Sequence, residues 1–254
     1  IYYGIKTGLN EAFVINAATR ERLIAEDPNS AEVIKPFLAG RDIKRYQTPV
    51  SDKYLILFEK GVTNQKRGEM EAEEWVKMNY PAVFGWLADF EEKAQKRFDK
   101  GEYWWELRAC DYYPSFEQPK ILYQEIMTFQ SFTYEDQNLY TNNKIFFIPG
   151  AKPHMLGLLN SKLVWFHLNQ VASKLQGGAL AMQSPYVLSI PVAPLQDQQE
   201  SLTALVTRIL ALKRADPRAD TVAEEAEIDR LVYGLYGLTE EEIRLVEGGR
   251  CRDV

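Results

Sequence analysis

The pattern of apolar residues changes near Pro191 and Pro194, and this change limits the folds that the chain can adopt. Before it, short segments rich in β-branched and aromatic residues alternate with polar turns, a pattern typical of strands. The predicted strands cover residues 11–17, 53–59, 120–126, 144–150 and 186–192. One amphipathic helix interrupts them, beginning at Pro81 and ending near Gly101. Strands in one part and helices in another indicate an α+β fold.

After the two prolines the pattern is only helical. Three helix starts are predicted from a polar residue followed three positions later by glutamate, as in a capping box. The pairs are Asp197 with Glu200, Thr221 with Glu224, and Thr239 with Glu242. The apolar faces of these helices include Leu202, Leu205, Ile209, Leu231 and Leu235. We therefore predict a mixed or antiparallel β-rich domain with inserted helices over residues 1–195, and a C-terminal helical segment over residues 196–254 that packs on it.

Composition and residue spacing exclude several classes of protein. The chain has 254 residues, 46% of them hydrophobic, which is enough for a sizeable core. Its longest apolar run, residues 155–168, is too short and too polar to span a bilayer. The two cysteines and two histidines lack the close spacing of a zinc site, and few cysteines fit a reducing cytoplasm. The sequence starts at Ile1 without methionine or signal peptide, so we expect it to be part of a longer chain.

Motifs for catalysis are weak. Residues 4–13, GIKTGLNEAF, have Lys6 and Thr7 before Gly8, whereas a phosphate-binding loop requires glycine, lysine and serine or threonine in that order. Glu91 and Lys93 match only the shorter half of a metal-dependent nuclease pattern, and they lie on the polar face of the predicted helix. No glycine-rich loop follows a strand to hold S-adenosylmethionine. The sequence therefore predicts no catalytic residue, metal site or cofactor within this chain.

The net charge of −6 argues against a polyanionic partner, but the charge is unevenly distributed. Residues 197–254 contain thirteen acidic and eight basic residues, whereas residues 1–196 contain 23 acidic and 22 basic residues. The nearly neutral part includes KPFLAGRDIKRY, residues 35–46, with Arg41, Lys44 and Arg45. These side chains are candidates for contacts with nucleic-acid phosphates.

Two further stretches combine basic, amide and aromatic residues, which can read base edges and stack on bases. Residues 103–113 have aromatic residues on both sides of Arg108. Trp105 is the candidate for stacking, with a position in the core as the competing interpretation. Residues 173–184 contain Lys174 and Gln176 before a Gly-Gly pair, which either permits close approach to a ligand or forms a plain mobile hairpin.

Several short motifs, in this order along the chain, resemble the TaqI-like C-terminal specificity domain. They are Gly-x-x-Thr-Gly-x-Asn at residues 4–10, KPFLAGRDIKRY at 35–46, WELR at 105–108, FEQPKI at 116–121, LNSK at 159–162, IPV at 190–192 and EIDRLVYGLYGLTEEEI at 227–243. The resemblance runs over nearly the whole chain. It implies that Lys6, Thr7 and Asn10 belong to the turn that leads from a methyltransferase into a recognition domain, and we expect these three residues to contact DNA there.

The resemblance implies the target-recognition domain of a DNA adenine-N6 methyltransferase, or of a type IIG enzyme that joins such a methyltransferase to an endonuclease. The expected location is the cytoplasm. The expected partners are double-stranded DNA and an upstream methyltransferase domain of the same chain. No association with a membrane is expected. S-adenosylmethionine and Mg²⁺ are expected only in the full-length enzyme. There the recognition domain would read bases in the duplex while the methyltransferase flips an adenine.

Two other functions remain open from the sequence alone. An assembly subunit would use the C-terminal helical segment to contact partner chains. A carbohydrate-binding module, the less favoured alternative, would present an exposed platform of aromatic rings for stacking on sugars. The candidate rings are Trp104, Trp105, Tyr112 and Tyr113.

Overall fold

The structure is a computed structural model that describes residues 1–39, 43–194 and 198–248. Helices account for about 48% of it and strands for about 16%. The α+β class predicted from the sequence is confirmed, with more helix than strand. In these ranges, no helix is long and apolar enough to cross a bilayer.

The strands are short and form three sheets. Their bounds are β1 (Tyr2–Tyr3), β2 (Val14–Asn16), β3 (Ile34–Leu38), β4 (Lys53–Ile56), β5 (Lys120–Gln124), β6 (Ile126–Met127), β7 (Thr133–Glu135), β8 (Tyr140–Thr141), β9 (Ile145–Pro149), β10 (Ser173–Lys174) and β11 (Leu180–Ala181). The central sheet has the order β1-β9-β5-β7 and is antiparallel. A second sheet has the order β2-β4-β3-β8, with β3 and β8 parallel. The third, β10-β11-β6, is antiparallel.

The helices lie in two groups along the chain, before and after β5. Those of the first group are α1 (Asn10–Phe13), α2 (Ala17–Glu26), α3 (Ser30–Val33), α4 (Val62–Lys66), α5 (Ala72–Asn79), α6 (Pro81–Ala88) and α7 (Glu91–Gln95). Those of the second are α8 (Pro153–Leu159), α9 (Lys162–Val171), α10 (Ser184–Leu188), α11 (Gln198–Ala215), α12 (Val222–Leu235) and α13 (Glu240–Gly248). Short 3₁₀ turns cover Tyr113–Glu117 and Gln176–Gly178.

The central sheet separates two hydrophobic cores. Along β5 and β9, Leu122 and Phe147 pack into the first core. Ile121, Tyr123 and Phe146 pack into the second core, on the opposite face. This alternation follows from the two-residue period of a strand whose two faces are both covered. Each group of helices therefore covers one face of the same sheet.

The second core includes the helices that follow Pro194. Val206 of α11 and Val232 of α12 are fully buried there, together with residues of α8 and α9. Of the residues expected to pack, Leu202 and Ile209 are buried, and Leu205 and Leu231 are partly buried in the same core. The apolar faces of α11 and α12 are thus covered by this chain. The predicted domain boundary at residue 195 falls at the edge of the described residues and stays a prediction.

Three predictions of local structure are wrong. Residues 11–13 form part of α1, so that only Val14–Asn16 of the first predicted strand pairs with a neighbour. The last predicted strand overlaps α10, because Pro185 in the first turn has a fixed φ and no N–H to satisfy, which favours a helix start. The helix from Pro81 ends at Ala88, and α7 begins separately at Glu91.

The predicted helix caps have different outcomes. At α13 the capping box is confirmed: a Glu242 carboxylate oxygen accepts the backbone N–H of Thr239 at 2.8 Å, and the Thr239 hydroxyl accepts that of Glu242 at 3.3 Å. At α12 the Thr221 hydroxyl donates to Glu225 at 2.8 Å instead of capping the helix. Asp197 lies outside the described residues.

Candidate nucleic-acid interface

The turn near the N-terminus is held by its own polar side chains. The Thr7 hydroxyl donates to the Asn10 side-chain oxygen at 2.6 Å and accepts the backbone N–H of Leu9 at 3.2 Å. Gly8 has a φ of +69°, which glycine adopts without strain. Thr7 is buried, and its hydroxyl is bonded within the turn. Its expected contact with DNA stays a prediction.

Lys6 and Arg108, which are far apart in the sequence, meet at one carboxylate. The Lys6 ammonium lies 2.9 Å from one oxygen of Asp99, and the Arg108 guanidinium lies 3.4 Å from the other. Arg108 also donates to the Tyr3 hydroxyl at 3.3 Å. Both cationic side chains remain about half exposed and face a cleft of about 220 Å³. The Cys110 thiol and the Asp111 carboxylate also line this cleft, and burial raises the pKa of the thiol.

The segment that carries Asp99 is fixed by a buried arginine that the sequence analysis missed. The Arg97 guanidinium stacks on the Phe13 ring at 4.1 Å. It donates to the backbone carbonyls of Ala94, Thr7, Asp99, Trp104 and Glu106. Burial lowers the pKa of Arg97 to about 10, so the side chain stays charged at neutral pH. Arg97 therefore links the N-terminal turn to residues 99–106.

The aromatic residues of the second stretch are largely core. Trp105 is 2% exposed, and its indole N–H donates to the Thr63 hydroxyl at 3.0 Å. Its ring is covered by Tyr103, stacked at 4.8 Å, so it is not available to stack on a base. Trp104 and Tyr113 are also buried, so three of the four rings of the supposed sugar platform are covered. The competing core interpretation of Trp105 is the correct one.

Lys44 and Arg45 line a second, larger cleft of about 470 Å³. Its other wall comes from the connection between β6 and β7, residues 128–131, and from Gln124. The Gln124 side chain donates to the Ile43 carbonyl at 3.3 Å, which joins the two walls at the base. Lys44 is exposed. Arg41 was predicted to act beside these two residues, but it lies outside the described residues.

Arg45 is held by partners that are distant in sequence. Its guanidinium contacts the Glu225 carboxylate of α12 through two nitrogens, at 2.7 and 2.8 Å, and donates to Gln130 at 2.9 Å. The Gln130 amide in turn donates to the backbone carbonyls of Leu159 and Ser161. A network of this kind fixes both cleft walls to helices of the second core. No local sequence pattern predicts this network, because Gln130 and Glu225 are 85 and 180 residues from Arg45.

Replacing Glu225 with alanine is expected to lower the free energy of unfolding by about 1–2 kcal/mol, because it removes two charge-assisted hydrogen bonds from a mostly covered arginine. Urea unfolding measures the change. Glu227→Ala is the matched control, since Glu227 lies on the same helix and, among the described residues, its ion-pair partner is the exposed Arg230. Its melting temperature should not change. Equal effects of the two substitutions would show that the Arg45 network does not stabilise the cleft.

The hairpin that carries Lys174 and Gln176 is connected to the larger cleft through a shared sheet. Strand β11 lies between β10 and β6, and β6 leads directly into residues 128–131. Lys174 and Gln176 are exposed. Gly177 and Gly178, with φ of +78° and +79°, form an open tip. This geometry is compatible with both interpretations of the Gly-Gly pair.

The residues considered for catalysis do not form a site. Lys93, on α7, pairs with Glu11 at 2.7 Å on the surface. Among the residues that the structure describes, no group of three or more histidine, cysteine, aspartate or glutamate side chains is arranged to hold a metal ion. Two polar clefts carry the residues predicted to bind DNA, one lined by Lys6 and Arg108 and one lined by Lys44, Arg45 and Gln130.

Comparison with known proteins identifies the family to which the chain belongs. Residues 35–192, more than half of the chain, match the TaqI-like C-terminal specificity domain. The chain therefore belongs to this family of specificity domains. No curated protein matches the sequence.

Two solved structures are similar to the chain. The type IIL restriction-modification enzyme MmeI, solved in complex with DNA, matches with a TM-score of 0.67 and 16% identity over 96% of this chain and 34% of that chain. This likeness shows a shared fold. The type IIG restriction endonuclease BpuSI matches with a TM-score of 0.43 and 10% identity over 91% of this chain and 31% of that chain. The chain thus spans about a third of the length of each.

Proposed function

We propose that the chain reads the DNA sequence for a type IIG restriction-modification enzyme whose methyltransferase domain modifies adenine at N6. The observation that carries this proposal is the family match over residues 35–192, which include all of the larger cleft. In the full-length enzyme, the methyltransferase domain would precede this chain, bind S-adenosylmethionine and flip the target adenine. Mg²⁺ would serve an endonuclease activity outside this chain.

The charges of the two clefts support a division of roles between phosphate and base contacts. Exposed lysines without a fixed planar partner suit phosphates, which carry no sequence information. Lys44 is such a residue at the larger cleft, and Lys174 is another on the hairpin. Arg45, expected to hold phosphate, is proposed instead to position the cleft, since Glu225 holds its guanidinium at 2.7 and 2.8 Å, more closely than Asp99 holds the more exposed Arg108 at 3.4 Å.

Arg108 and Gln176 are the proposed base readers. A guanidinium can bind the two acceptors of guanine, and a carboxamide can pair with adenine. The Arg108 side chain is about half exposed, and its guanidinium is oriented by contacts with the Asp99 carboxylate and the Tyr3 hydroxyl. Gln176 is exposed beside the open hairpin tip. Lys6 and Asn10 are proposed to lie beside the DNA backbone where the two domains meet.

We expect Lys44→Ala to weaken binding of the full-length enzyme to all duplexes alike. Losing one phosphate contact should reduce the slope of log affinity against log salt by about one unit. Arg108→Ala or Gln176→Ala should instead cost about 1–3 kcal/mol on the cognate sequence alone. Titrations at two salt concentrations, with cognate and scrambled duplexes, separate the two patterns. The assignment of base readers fails if both Arg108→Ala and Gln176→Ala leave cognate affinity and methylation specificity unchanged.

A further inference from the structure

Phe129 is a large aromatic side chain that the fold leaves in solvent. It is 72% exposed and lies in the connection between β6 and β7, on the wall of the larger cleft. Ile126, at the start of the same segment, is also about half exposed. A large apolar side chain gains free energy when a partner removes it from water.

The backbone on both sides of Phe129 is fixed. Met127 before it is buried and its strand pairs with β11. After it, the Gln130 side chain bonds to two carbonyls of the second core and to Arg45. Phe132 exchanges two hydrogen bonds with the Asn160 side chain, at 3.2 and 3.0 Å. Because the backbone around Phe129 is already ordered, a binding partner loses little free energy in fixing it. More of the free energy of contact with the ring therefore contributes to affinity.

The surroundings of Phe129 favour a polyanion with flat apolar surfaces. The cleft is lined by the exposed cation of Lys44, by Arg45, whose charge is paired with Glu225 of α12, and by neutral hydrogen-bonding groups of Gln124, Thr128 and Ser131. No carboxylate is among the described residues that line it. Duplex DNA combines negative phosphates with base surfaces and thymine methyl groups that an aromatic ring contacts favourably. The exposed cation of Lys44 beside an exposed aromatic ring therefore favours DNA as the occupant of the cleft.

We propose that Phe129 contacts a base of the bound DNA, as an apolar reader supported by Gln130 and flanked by Lys44. The proposal rests on the proposed DNA-reading function and adds a specificity-determining residue to it. Phe129 has no charge and no donor, so its contribution must come from base surfaces and not from phosphates. Its effect on affinity should therefore be independent of salt, in contrast to that of Lys44.

The test uses the full-length enzyme with Phe129→Ala, Phe129→Leu and Phe129→Trp. In duplex recognition, the loss of one base-specific contact corresponds to roughly a 5- to 150-fold difference in affinity. Phe129→Ala should lose cognate affinity within this range, with an unchanged salt slope and an unchanged melting temperature. Phe129→Trp should retain most of the affinity and Phe129→Leu should fall between. Leu245→Ala is the matched control, because Leu245 is 62% exposed on the acidic helix α13, and it should bind as the wild type does.

The outcomes distinguish this inference from the function on which it rests. If the wild-type enzyme shows no preference among duplexes, the DNA-reading function fails, and the role of Phe129 fails with it. If the wild type is selective and Phe129→Ala binds as tightly, only the role of Phe129 is overturned. A loss that is equal on cognate and scrambled DNA and reduces the salt slope also overturns it. Should Phe129→Ala lower the melting temperature, the Phe129→Trp and Phe129→Leu affinities decide.

Discussion

Replacing Glu135 with alanine is expected to destabilise the protein by about 3–5 kcal/mol, because it leaves the buried charge of Lys120 without a partner. The two side chains form an ion pair across β5 and β7, and neither is exposed to solvent. The Lys120 ammonium also donates to the Phe116 carbonyl at 2.6 Å. Burial lowers the pKa of Lys120, and Glu135 counteracts this by favouring the charged form. Urea unfolding at neutral pH measures the difference.

Two controls isolate the effect of burial. Lys144 pairs with Glu125 at 2.8 Å, but this pair is largely exposed, so Lys144→Ala should cost less than about 1 kcal/mol. The double substitution Lys120→Met with Glu135→Leu should recover much of the stability, since apolar residues of similar size often replace a buried ion pair without loss. A Glu135→Ala protein within 1 kcal/mol of wild type would contradict the assigned burial.

Deleting the chain after Lys213 is expected to lower stability by several kcal/mol. The deletion removes α12, with Ile228 and Val232 buried in the second core, and each large buried side chain contributes about 1.5–3 kcal/mol. It also removes Glu225, which holds Arg45 at the cleft. The exposed faces of α8 and α11 should make the shortened protein associate. Thermal unfolding and light scattering measure both effects.

A shorter deletion provides the control for this result. Ending the chain at Leu238 removes α13, of which Val246 alone is buried among the described residues, and keeps α12. This protein should lose much less stability and remain monomeric. If the deletion after Lys213 melts at the wild-type temperature and stays monomeric, the helical segment is an independent appendage and its packing is not required.

Local patterns in the sequence predicted the two inner strands of the central sheet, and they missed the outer strands β1 and β7. The predicted ranges 120–126 and 144–150 contain β5 and β9. These strands were predictable because their β-branched and aromatic residues are typical of a strand buried on both faces of a sheet. The same signal at 186–192 gave a wrong strand, since Pro185 starts a helix that no hydrophobic pattern reveals. The Thr239 capping box was predictable because all of its members lie within one turn.

The polar clefts were only partly predictable. Residue type suggested Lys44, Lys174 and Gln176, and all three are exposed. Residue type could not show that Trp105 is buried, since aromatic residues are equally suited to a core and to a base. Nor could it show the pairing of Arg45 with Glu225, because tertiary contacts between distant residues leave no local signature.

The most direct test of the account is to exchange residues 35–192 in the full-length enzyme for those of another TaqI-like specificity domain. Both proteins are then incubated with a pool of random duplexes, and the bound DNA is sequenced. If this segment reads the DNA, the wild-type enzyme enriches one defined sequence and the exchanged enzyme enriches the sequence of the donor. An exchanged, folded enzyme that still enriches the original sequence would contradict the assignment of recognition to this segment.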